Sequence, residues 1–102
     1  MMPLVPRKLV TVVAPESAEE SLTQAISALG LGVSGVPTHG KGRHGVRPDP
    51  WHGANVELHV VTTEAGLVTL FEMLEKQFLP ATNLFAWVTD VSVWAGSTKV
   101  PE

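Results

Sequence analysis

At 102 residues, with 44% hydrophobic and 17% charged side chains, the chain has the composition of one packed domain rather than of a disordered segment. Its formal net charge of −3 gives no overall attraction to nucleic acid or to an acidic membrane. The absence of cysteine excludes disulfides, thiolate metal sites and cysteine nucleophiles, and fits a reducing cytoplasm.

The opening "MMPLVPRKLV" lacks the apolar stretch and small-residue cleavage site of a secretory signal, and no apolar run approaches membrane-spanning length. A cytoplasmic protein without a transmembrane segment is expected, residues 1–102 forming a single domain.

Lys8 to Ala14, "KLVTVVA", is rich in β-branched residues and stops at Pro15; it predicts a buried strand, with Arg7 and Lys8 just before it or at its start. In "SAEESLTQAISALG", Ser17 and Glu20 stand at capping-box spacing, Leu22, Ile26 and Leu29 share one helical face, and Gly30 suits a left-handed C-cap. Leu31 to Thr38, "LGVSGVPT", predicts a second strand, and Pro37 puts its far end on a sheet edge or beyond the sheet.

Ala54 to Val61, "ANVELHVV", alternates Val56, Leu58 and Val60 with Glu57 and His59, as a strand with one face on a core does. "TTEAGLVTLFEMLEKQFLP" then offers threonine caps and an apolar stripe of Leu67, Leu70, Phe71, Leu74 and Phe78, closed by Pro80. Leu84 to Trp94 is a long strand with Phe85, Trp87, Val91 and Val93 on one face.

The order βαββαβ predicts an α+β, ferredoxin-like domain: an antiparallel four-stranded sheet with both helices on one face. Two helices shield one side only, while the last strand is apolar on both. The second face is therefore expected to pack in an oligomer.

Residues 39–53, "HGKGRHGVRPDPWHG", separate the second and third strands with a connection far longer than a hairpin needs, as functional loops often are. Gly40, Gly42 and Gly45 allow the backbone to approach a ligand closely, and Lys41, Arg43 and Arg47 add positive charge. Arginine forks suit phosphate or carboxylate-like oxyanions, bicarbonate included. An anion site is the economical reading, and three others stand beside it. The segment could be a solvated basic surface. It could bind RNA or DNA, although Trp51 is its one aromatic and the chain is acidic overall. Or His39, His44 and His52 could hold a metal, without any cysteine or strong acidic set. "GKGRHG" is not a Walker A motif. His59, alternating with apolar residues, reads as a satisfied or interface side chain, and no Ser, His and Asp grouping points to a hydrolase. No catalytic residue, metal or cofactor is expected.

Three segments in this order carry a family resemblance: "KLVTVV" as first strand, "GKGR" at the base of the long connection, and "VELHVVTTE" entering the second helix. From Lys8 to Gly96 the chain resembles the PII signalling superfamily, trimeric proteins with a long T-loop between the second and third strands. The "GKG" followed by a Val-Arg, here Gly40, Lys41, Gly42, Val46 and Arg47, is similar to that of the PII-like proteins linked to inorganic carbon, both the SbtB type and the carboxysome-associated type. The lack of a cysteine-bearing C-terminal motif favours the second; this chain closes "WAGSTKVPE".

The resemblance implies a homotrimeric sensor, not an enzyme, that binds an adenine nucleotide (ADP or AMP) and bicarbonate in clefts between subunits. It implies a protein target such as a bicarbonate transporter or carboxysome component. It assigns nucleotide contacts to Ser34, Gly40, Lys41, Gly42, Arg43, Arg47, Thr82 and Asn83, and anion or bicarbonate contacts to Lys41, Arg43, Arg47 and Lys99. The absence of tyrosine rules out loop uridylylation. "LPATN" stands where PII proteins carry a Gly- and Lys-rich phosphate loop, and Ser92 and Trp94 replace paired arginines of the last strand; both changes disfavour triphosphate with 2-oxoglutarate. A CutA-like interaction trimer without nucleotide is the alternative.

Overall fold

The computed structural model describes residues 3–39 and 54–102. Their elements run β1 (Leu4–Pro15), a 3-10 turn (Glu16–Ala18), α1 (Glu19–Ala28), β2 (Ser34–His39), β3 (Ala54–Thr62), α2 (Glu64–Gln77) and β4 (Phe85–Trp94). The strands form one antiparallel sheet in the order β2-β3-β1-β4, the ferredoxin-like arrangement expected from the alternation of elements.

Alternation along the central strands decides which face the helices cover. Val10, Val12 and Ala14 of β1 and Val56, Leu58 and Val60 of β3 point to one side, where they pack with Leu22 and Ile26 of α1 and Leu70, Met73 and Leu74 of α2. Each such Val or Leu, withdrawn fully from water, contributes about 1.5–3 kcal/mol before chain entropy is counted. Leu29, Leu67, Phe71 and Phe78 complete the same cluster from half-buried positions, so both predicted helical stripes face the core.

The helix ends follow local chemistry. Gly30 has φ +83° and its N–H donates to the Ser27 carbonyl at 2.9 Å, the left-handed exit that glycine permits without a Cβ clash. Thr63 caps α2 by accepting from the Gly66 N–H at 3.1 Å. The Ser17–Glu20 capping box does not form: residues 16–18 make the 3-10 turn, and α1 starts from Ala18 with no side-chain cap. Pro15 leads straight into this tight turn, which occupies the stretch where a Ser17 cap would have opened the helix.

Two strand boundaries also move. β1 begins at Leu4 instead of Lys8, because β4 runs on beside it through Leu4↔Trp94, Val5↔Val93 and Pro6↔Ser92. Pro6 is tolerated there because β3 pairs with β1 only from Lys8 onwards, leaving one side of Pro6 without a partner strand. β2 begins at Ser34, after the chain has left Gly30, and it is an edge strand, as Pro37 demands.

The opposite face of the sheet has no helix over it. Two transverse rows cross it in register: Ser34, His59, Thr11 and Trp87, then Val36, Glu57, Val13 and Phe85. Thr11 and Val13 are buried in the middle, yet Val36, Phe85 and Trp87 remain 50%, 49% and 40% exposed.

Candidate functional site

A groove of about 760 Å³ opens at one end of this helix-free face, within the size range of small-molecule sites. Its floor is His59 and Val61 of β3 with Val93 of β4. One wall is the Gly30–Ser34 connection that carries α1 into β2; the other is the 97–102 segment that follows β4. The positive φ at Gly30 turns the first wall out of α1, and the start of β2 at Ser34, paired with His59, seats it on the sheet.

Ser34 and Lys99, 65 positions apart in sequence, therefore border one groove. Lys99 is exposed and is the one lysine or arginine lining it among the described residues; Glu102 lies on the same wall. His59 shares a hydrogen bond of 2.8 Å between its Nε2 and the Glu57 Oε1, both side chains about one-third exposed. If Nε2 carries the proton, that bond leaves Nδ1 as the acceptor of a neutral ring. His59 is thus a satisfied side chain, as its alternation suggested, but one that also floors the groove.

Thr82 and Asn83 lie elsewhere. They line a separate depression of about 360 Å³ with Pro15, Ser17, Ala18, Ser21, Phe78 and Ala81. The turn after α2 is held by the Thr82 N–H donating to the Phe78 carbonyl at 2.8 Å. β4 then begins at Phe85, in register with Val13, one row past Thr11 and away from the groove. The start of β4 is also three strand spacings from Ser34, about 14 Å across the sheet. Ser34 and Lys99 are brought together by the fold; Thr82 and Asn83 of the same chain are not brought to them.

Gly40, Lys41, Gly42, Arg43 and Arg47, together with His44, Trp51 and His52, lie outside the described residues, and so does the side chain of His39. Ser92 and Trp94 sit on the helix side of β4, paired with Pro6 and Leu4, so the groove receives Val93 and not these two. Trp94 folds onto Gly96, where an added Cβ would run into the indole. Among the described residues no group of three or more His, Asp or Glu could hold a metal ion, and no helix is long and apolar enough to cross a membrane.

The Gly30–Val33 wall and the His59 floor were not singled out as ligand contacts from sequence. The signal for His59 was the alternation of β3 itself, which sets it opposite the core residues Leu58 and Val60; the groove appears only once β2 is registered against it.

The family model for nitrogen regulatory protein P-II matches residues 7–96. Among solved structures, one described as a PII-like signalling protein of Thermus thermophilus is 33% identical, with a TM-score of 0.76 over 93% of this chain and 96% of that one. The PII-like protein CPII of Thiomonas intermedia, solved with ADP, AMP and acetate, gives 20% identity and a TM-score of 0.75 over 90% and 92% of the two chains. Its complex with ADP and bicarbonate gives 23% and 0.75 over 92% and 94%; at these identities the likeness is one of fold. No curated protein matches the chain.

Proposed function

The chain belongs to the nitrogen regulatory protein P-II family, and from that premise we propose that it is a signalling sensor, not an enzyme. In this reading it binds ADP or AMP, with bicarbonate as a second ligand, in clefts between the subunits of a homotrimer.

The observation that carries this reading is the separation of the two halves of the binding set. Ser34 and Lys99 share one groove while Thr82 and Asn83 occupy the other end and the other side of the sheet. One small ligand can meet all four only if two subunits contribute, one offering the groove and its neighbour the Thr82–Asn83 end. Such a head-to-tail contact forms a ring where its rotation closes, as it does in a three-fold trimer. The bare apolar patch of Val36, Phe85 and Trp87 supports an assembly, since a patch of this kind gains from leaving water. The ligands found with CPII, namely ADP, AMP and bicarbonate, support the ligand class.

Within such a cleft, Ser34 and the backbone of Gly40 to Gly42 line the nucleotide. Lys41, Arg43 and Arg47 supply positive charge to phosphate or bicarbonate, and Lys99 adds one more cation from the far wall. Arginine contributes a paired donor geometry that a lysine cannot. Ligand contact with Gly40 to Arg47 would change what Trp51 and its neighbours offer to a protein target, a bicarbonate transporter or carboxysome component. The output is a shift of population and needs no bond to be made or broken.

Calorimetric titration of the full chain with ADP, AMP, ATP and bicarbonate, singly and in pairs, tests the reading. Binding of ADP or AMP, with bicarbonate altering the affinity, is the expected result. No heat from any combination would return the protein to a ligand-free interaction trimer, and steady phosphate release would make it an enzyme.

A further inference from the structure

The segment after β4 does not leave the sheet; it folds back and is tied down at several points. The Ala95 N–H donates to the Pro3 carbonyl at 3.1 Å and the Ser97 N–H to the Trp94 carbonyl at 3.0 Å. Ser97, Val100 and Pro101 are half-buried. Between them Lys99 has φ 61°, a conformation that a side chain larger than glycine holds only where its surroundings require it.

The last of these ties comes from Arg7. It lies on the helix-free face of β1, opposite Val91, and its Nε donates to the Pro101 carbonyl at 2.6 Å across 94 positions of sequence. Its Nη1 donates to the Pro6 carbonyl at 2.7 Å, which fixes the guanidinium against its own strand. Arg7 is not among the residues lining the groove.

We infer that Arg7 is a positioning residue for the groove: by gripping the Pro101 carbonyl it holds the 97–102 wall so that Lys99 stays on the rim where an anionic ligand is bound. The inference rests on the proposed binding of a nucleotide in this groove. It adds that the affinity depends on a residue that never touches the ligand.

The test uses the full-length chain, with ADP as the probe and hydrogen exchange of the 97–100 amides as a readout independent of any ligand. Arg7→Ala should raise the Kd for ADP about tenfold, the worth of one hydrogen bond involving a charged group, and should speed exchange across the segment. Arg7→Gln keeps an N–H donor at the ε position without the charge or the Nη1 brace to Pro6, and should fall between wild type and Arg7→Ala in both affinity and exchange. Lys99→Ala should weaken ADP by a similar factor, and the double variant should be no weaker than either alone, because the two act through one contact.

An Arg7→Gln variant as weak as Arg7→Ala would overturn the inference by showing that charge and not the grip matters. So would fully additive losses, or Arg7→Ala with unchanged exchange or unchanged affinity. Wild-type protein that takes up no ADP at all would instead sink the binding reading itself, and the affinity effect of Arg7 with it.

Discussion

Gly66, in the first turn of α2, faces the buried side chain of Thr62 so closely that a Cβ on Gly66 would collide with the threonine hydroxyl. The same glycine donates its N–H to the Thr63 cap at 3.1 Å, so the end of β3 and the start of α2 are fitted to each other through a residue with no side chain. Elsewhere in a helix, alanine would be favoured over glycine by about 1 kcal/mol. Here Gly66→Ala should destabilise the protein by roughly 1–3 kcal/mol, the usual cost of overpacking, read as a lower midpoint in urea. A rise in stability would mean that Thr62 can turn aside at little cost.

Lys8 and Asp90 pair across β1 and β4, Nζ to Oδ1 at 2.6 Å. The hydrogen bond and the charge of Asp90 raise the lysine pKa above its usual 10.5. A raised folded-state pKa means that the pair's contribution is fully present below the unfolded value and disappears as pH rises through the folded one. Asp90→Asn should therefore lower Tm slightly near pH 8, and the gap to wild type should close above the usual lysine value. Asp90 is exposed and Lys8 is partly so, so 1 M salt should shrink the gap as well. A gap that widens with alkali would contradict the assignment.

Phe85 and Trp87 stack at a tilt on the helix-free face, ring centroids 5.8 Å apart. If that face is where subunits meet, Trp87→Glu places a charge where water is excluded and should yield monomers by sedimentation, with the helical signal retained. An oligomer of unchanged mass would move the contact to another surface.

The legibility of the chain was uneven, for physical reasons. Elements set by short-range chemistry could be read directly: the Gly30 exit, the threonine cap at Thr63 and the two amphipathic stripes each depend on residues within a turn or two. The extension of β1 to Leu4 could not be read, because Pro3 and Pro6 argue against a strand locally and only pairing with β4 overrides them. The start of α1 was misplaced because a 3-10 turn and a capped helix compete over the same few residues.

The groove was harder still. Ser34 and Lys99 were named by resemblance, and nothing in their spacing forecasts that they share a cleft, just as nothing marks Arg7 as the holder of Pro101. Thr82 and Asn83 were placed in the same set, and the sheet shows why one chain cannot bring the four together.

That separation also supplies the most direct test of a ligand site shared between subunits. Lys99→Ala weakens the groove and Asn83→Ala the opposite end, so each variant alone should bind ADP weakly. Unfolded together in equal amounts and reassembled, they should recover strong binding at about a quarter of the sites, those in which an intact groove meets an intact neighbour in a head-to-tail ring. A calorimetric stoichiometry near that fraction is the result expected; a mixture that binds no better than either variant by itself would contradict the shared site.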